Sequence, residues 1–281
     1  MKMNYNFSLI LFFALLVRGF SLAQELVTID YSKWTILTPG IDYIEQAAPL
    51  RSKIGDSKLS ILRIDPLQFQ FEIHAATNYD SISRDVYKWA DSFKLNIVFN
   101  ASMYDLRKPL VSRGYLKVGD HFNNSQLLPG WNSMIAVKNS QNMEQEIAIL
   151  DLTCNKWESE KDNYFSFAQG IRMLDSNGNP MNWGKVQSCS MLVAAEDPSG
   201  RFYLIFCRSP YTQNEMIQFM RQMPYKLRNG IYLEGGPETS LLIDINEHCI
   251  EKIGSWVSKV WEKDSNKNFW PLPNVIGVKF R

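Results

Sequence analysis

Polar and apolar residues alternate along much of the chain, and the alternation predicts strands. Gln68–Ala75 (QFQFEIHA) is the clearest case, with every second side chain apolar as in a half-buried strand. Lys58–Asp65 is rich in β-formers and stops at Pro66. Further β segments are read at Asn96–Phe99, Gly114–Val118, Ser133–Lys138, Glu146–Leu152 and Tyr164–Leu174. Cys189–Ala195 and Arg201–Arg208 read as a hairpin, because Asp197-Pro198-Ser199-Gly200 between them is strong turn chemistry. Gly230–Leu233 and Leu241–Ile245 close the series.

Helical period occurs twice. Within Ser83–Lys94, Val86, Trp89, Ala90 and Phe93 share one face and read as core packing. Thr212-Gln213-Asn214-Glu215 fits a capping box with Thr212 as N-cap. The helix it opens carries Met216, Phe219, Met220 and Met223 on one side, again a core stripe. Many strands, one marked hairpin and two helices predict a single α+β domain. No internal repeat, low-complexity tract or linker divides it.

The N-terminus reads differently. Lys2 precedes the apolar run Phe7–Val17, which is too short to span a bilayer, and Ser21-Leu22-Ala23 forms a small-x-small site. Residues 1–23 are therefore expected to be a signal peptide, leaving a domain over 24–281 that begins at Gln24. The protein is expected to be exported, periplasmic or secreted, with no membrane span after cleavage.

Composition narrows the rest. The chain has 281 residues, is 45% hydrophobic and carries a net charge of +1, so it is no disordered tail and no nucleic-acid partner is expected. Four cysteines, Cys154, Cys189, Cys207 and Cys249, permit two disulfides or four free thiols, and no C-x-x-C occurs. His74, His121 and His248 show no metal spacing, and His74 reads as a structural residue in its strand. Neither metal nor cofactor is called for; Asp105, Glu234 and Glu238 fit no known Ca²⁺ loop. G-x-S-x-G, P-loop, G-x-G-x-x-G and H-E-x-x-H signatures are absent.

Two polar turns leave the ends of apolar strands. One is Asn100-Ala101-Ser102-Met103-Tyr104-Asp105; the other is Glu234-Gly235-Gly236-Pro237-Glu238-Thr239-Ser240. Their small residues let a ligand approach the backbone. They are expected to lie close together.

The order of these segments resembles the phosphodiester glycosidase domain family, to which the lysosomal uncovering enzyme belongs. Asn100–Asp105 is similar to the family's Asn-x-Gly-(Met/Phe)-(Phe/Tyr) turn, and Arg113–Gly119 to its next strand. Gln169–Leu174 resembles a Gln-Ser-Gly-Pro-x-Leu segment, and Leu233–Ser240 a Leu-Asp-Gly-Gly-x-Ser-Ser close. The likeness runs from about Trp34 to Ile245 and rests on order and spacing. Three departures stand out: Ser102 for Gly, Glu234 for Asp, and Gln187-Ser188 where an Arg is usual.

The resemblance implies a large, mostly antiparallel β-sheet system and an exported glycosidase. Its substrate would be a carbohydrate phosphodiester, cleaved at the C1–O bond. The leaving phosphate monoester is a stable anion, so such a site needs a carboxylate near C1 and donors or a cation for phosphate. Glu234 and Asn100 are the expected catalytic residues. Gly235 and Gly236 would offer backbone N–H groups, and Thr239 and Ser240 hydroxyls. Glu238, Ser102 and Tyr104 complete the substrate-binding turns, with Arg113, Arg172 and Lys185 as phosphate partners. The departures carry a second reading: a module that binds a glycan or envelope polymer without cleaving it.

Overall fold

The computed structural model describes residues 30–105, 107–138, 147–155, 157–184 and 187–281. The leader and its cleavage site, Lys185 and the strand start at Glu146 lie outside the described residues.

Among the described residues an eleven-stranded sheet runs β1 (Thr35–Thr38), β2 (Ile41–Ala47), β3 (Lys58–Ile64), β14 (Phe202–Tyr211), β13 (Cys189–Glu196), β15 (Arg228–Gly235), β12 (Ser166–Arg172), β10 (Ser133–Val137), β11 (Ile147–Asp151). β8 (Leu116–Val118) pairs with β12 and carries β9 (His121–Asn124). A second sheet runs β17 (His248–Ile253), β16 (Ser240–Ile245), β5 (Ile97–Asn100), β18 (Asn274–Phe280), β4 (Phe69–Ala75). β6 (Tyr104–Asp105) and β7 (Lys108–Ser112) form a small hairpin. Every pairing described between these strands is antiparallel. The fold is the expected single α+β domain.

Alternation sets the layers. Phe69, Phe71, Ile73 and Ala75 of β4 face the large sheet, where Leu192, Leu204, Ile231 and Leu233 meet them in the main core. The opposite face of the large sheet packs under α3 (Gln213–Gln222) through Met216, Ile217, Phe219 and Met220. α1 (Val86–Phe93) covers the outer face of the second sheet, with Trp89 fully buried against Val98, Leu242 and Val275. A short third helix, α2 (Trp157–Glu160), lies at the surface. No described helix is long and apolar enough to cross a membrane.

The caps follow the sequence. Asp85 accepts from the Lys88 N–H at the start of α1. Thr212 and Glu215 form both bonds of the capping box at α3. In the hairpin turn Asp197 Oδ1 accepts the N–H groups of Ser199 and Arg201. All four cysteines are free, Cys189 and Cys207 buried, Cys154 and Cys249 exposed.

Some strands have no clear signal. β18 is a near-continuous apolar run interrupted by Gly277, where a Cβ would stand 2.4 Å from Leu95. The expected Gly114–Val118 strand is shorter, because the Tyr115 N–H turns away to Gln169 Oε1 at 3.0 Å.

Removing the α3 cap is a direct test of this local reading. Thr212→Ala is expected to cost about 1 kcal/mol, seen as a lower urea midpoint with an unchanged slope. An unaltered midpoint would contradict it.

Candidate active site

The two polar turns meet through one amide. Asn100, 1% exposed at the end of β5, donates from Nδ2 to the Glu238 carbonyl at 3.0 Å. Its Oδ1 accepts the Ser240 N–H at 2.7 Å. The chain crosses from the large sheet to the second sheet at this turn, so Asn100 fixes the crossing.

Glu234 sits where β15 is irregular. Glu234 pairs with Leu192 but Tyr232 with Val193, which makes Leu233 the extra residue of a bulge. Bulges redirect side chains beside functional sites. The carboxyl opens on a cleft of about 220 Å³ with Glu238, Tyr104 and Arg113. Met103, Val257 and Val260 form its apolar side.

Two carboxyls in so small a space disfavour double ionisation. Burial pushes Glu234 up to about 8, with the Glu238 charge adding to the rise; the Gly235 N–H and Arg113 oppose it. Glu238 is raised by its own burial. Burial, then the charges of Glu238 and Glu234, raise the Tyr104 hydroxyl as well. In the cleft floor Cys189 Sγ lies 3.6 Å from Tyr232 Oη. Burial pushes that thiol up to about 12, which leaves it inert as a nucleophile at neutral pH.

The backbone donors expected of the glycine turn are committed. Gly235 N–H bonds to Glu234 Oε1 at 3.0 Å, and Gly236 N–H is directed at the Cys189 sulfur. Gly235 is needed for another reason: a Cβ there would stand 2.0 Å from Tyr232 Oη. Gly236 takes φ +84°, a conformation that favours glycine.

Other expected residues also stand apart. Asn100 is spent on the turn. Ser102 is buried and donates to the Gln169 carbonyl at 2.7 Å. Ser240 Oγ donates to the Glu238 carbonyl at 3.0 Å, and Thr239 is fully buried. Arg172 bonds Asp151 and Thr153 away from the cleft. Asp105 pairs with Arg107. Arg113 is the cation left at the cleft. It makes no ion pair among the described residues and lies 5.9 Å from the Trp131 ring. Gln169 holds that loop, accepting Leu128 N–H and donating to the Trp131 carbonyl at 2.7 Å.

Sequence reasoning missed Tyr232, Cys189, Val257 and Val260. Tyr232 carried a signal, lying two residues before Glu234 on the same strand. The two valines come from an irregular loop with no periodic signature. Among the described residues no group of three or more His, Cys, Asp or Glu side chains could hold a metal ion.

The family model described as phosphodiester glycosidase matches residues 94–279. The sequence comparison with curated proteins finds no match. Among solved structures, the fold is similar to the zebrafish N-acetylglucosamine-1-phosphodiester alpha-N-acetylglucosaminidase catalytic domain, auto-inhibited by its pro-peptide. That likeness has TM-score 0.57 and 11% identity, over 90% of this chain and 88% of the other. A hypothetical protein from Synechocystis gives TM-score 0.56 and 12% identity, over 92% of this chain and 64% of the other. At these identities the likeness is one of fold.

Burial of Glu234 has a consequence for stability. Its carboxyl ionises near 8 in the folded chain against an ordinary 4.5. The unfolded chain therefore loses this proton first, and stability falls as pH rises through that window; above about 8 the cost is constant. Glu234→Gln is expected to gain on the wild type between pH 5 and 8, by on the order of 2–4 kcal/mol at the upper end. Urea denaturation at several pH values measures the gap, and a gap independent of pH would contradict the burial of a titrating carboxyl.

Proposed function

The chain belongs to the phosphodiester glycosidase family, and on that premise we propose that it is an exported hydrolase of sugar-1-phosphodiesters. The observation that carries the reading is the closed pair of carboxyls, Glu234 and Glu238, facing Arg113 in one cleft. The zebrafish neighbour is named for an N-acetylglucosamine-1-phosphodiester, which supports this class of bond. The apolar run Phe7–Val17 and the Ser21-Leu22-Ala23 site support export.

The electrostatics divide the roles. Glu238 is the less buried of the two and is assigned the charge, which helps keep Glu234 protonated. Glu238 then takes a proton from the attacking water as the water oxygen bonds to C1. The C1–O bond breaks and its electron pair leaves with the phosphate oxygen. Glu234 gives its proton to that oxygen, and Arg113 offsets the phosphate charge. This makes Glu234, expected from the sequence as the carboxylate near C1, the acid. It follows the general rule that two carboxyls with separated affinities for protons become an acid and a base.

Turnover of a panel of sugar-1-phosphodiesters tests the reading. Free sugar and a phosphate monoester are the expected products. Glu234→Gln and Glu238→Gln are each expected to lower kcat about 10²–10⁴-fold. Arg113→Ala is expected to raise KM more than it lowers kcat. A folded wild type that binds the panel without releasing product would overturn the hydrolase and leave the glycan-binding module.

A further inference from the structure

A larger cleft lies elsewhere. It has a volume of about 780 Å³, more than three times that of the Glu234 cleft, and the two share no lining residue. Small-molecule sites commonly occupy roughly 300–1,000 Å³. The cleft runs beside β4, between α1 and the turn joining β8 to β9.

Both walls present aromatic rings. On one wall Phe93 stacks on His74 with ring centres 4.1 Å apart, and Tyr79 packs 4.8 Å from Phe93. His74 Nδ1 is 2.9 Å from the Tyr79 hydroxyl and its Nε2 is 3.2 Å from Glu72, so this wall is fixed without a ligand. On the other wall Phe165, 41% exposed, lies against Gly119, where a Cβ would come within 2.9 Å of the ring. Gly119 N–H is tied to Ser166 Oγ at 3.0 Å, which holds the turn against that segment.

Planar polar groups lie among the rings. His121 Nε2 is 2.9 Å from Thr77 Oγ1, which orients the imidazole and leaves Nδ1 unbonded among the described residues. Asp120 is exposed and makes no ion pair among the described residues. Glu72 is already neutralised by Lys279 at 2.6 Å. Asp120 and Lys138 both line the cleft, so charges of both signs face it and neither sign is favoured in a ligand. A pyranose suits the remaining chemistry: its C–H faces lie on rings, and its hydroxyls meet carboxylate and imidazole.

We propose that this cleft is a second carbohydrate site, which takes a neutral pyranose oligosaccharide and acts independently of the Glu234 cleft. The Glu234 cleft would do chemistry on one linkage, while this one holds a length of glycan.

Calorimetric titration of the whole protein with cellotetraose and with tetra-N-acetylchitotetraose tests the proposal. At least one is expected to bind in the millimolar range or tighter. Phe165→Ala and Asp120→Ala are each expected to weaken binding about five- to tenfold, the scale of one lost stacking or polar contact. Phe165→Tyr, which keeps the ring, and Glu234→Gln are expected to leave it unchanged. Thermal unfolding verifies that each variant is folded. Failure of both sugars to bind would overturn the proposal. So would binding that survives both alanine substitutions, or that disappears in Glu234→Gln.

Discussion

One buried amide holds the site together. Asn100 ends a strand of the second sheet, and both ends of its side chain are bonded to the backbone of the turn that follows Glu234. An aspartate could not donate to the Glu238 carbonyl, and an alanine would leave a buried N–H and a buried carbonyl unpaired. With the Gly254 N–H bond to the Thr239 carbonyl at 2.8 Å and the Asn266 Nδ2 bond to the Pro237 carbonyl at 3.3 Å, this clamp fixes where the chain leaves the large sheet, and so where the two carboxyls sit relative to each other. The residue that resembles a ligand donor in sequence is a positioning residue in the fold.

With the turn fixed, electrostatics gives the cleft its character. Glu234 is 7% exposed and shares its space with a second carboxyl, so its charge is costly. The Gly235 N–H offsets part of that cost, which is why it is not free for a substrate. Arg113 comes from a different strand connection and is supported through Trp131 and Gln169. Strain and cost collect here while the layered core supplies stability: Trp89 under α1, Met216 and Met220 under α3, and β4 against the large sheet.

Much of the scaffold was legible because it is local. The alternation of Gln68–Ala75 became β4, and the Thr212–Glu215 pattern became a complete capping box. The pairing of the two polar turns was legible too, since each follows an apolar strand and opens on small residues. What was not legible depends on partners distant in sequence. Asn100 and Glu238 are 138 positions apart, and nothing local distinguishes a clamp from a catalytic amide. Arg172 reads as an available cation until Asp151, 21 positions away, is found against it. Val257 and Val260 reach the cleft from a loop without period. The proton on Glu234 could not be read at all, because it follows from burial and from the nearness of Glu238.

In the proposed reaction Glu234 enters as an acid and Glu238 as its ionised partner. The pH dependence of kcat/KM on a sugar-1-phosphodiester tests it most directly, because that ratio reports the ionisation of the free enzyme. These roles give a bell whose alkaline limb falls with an apparent midpoint near 8, and Glu234→Gln loses that limb. A rate that rises through pH 8, as an ionised Glu234 acting as base or nucleophile would give, contradicts them.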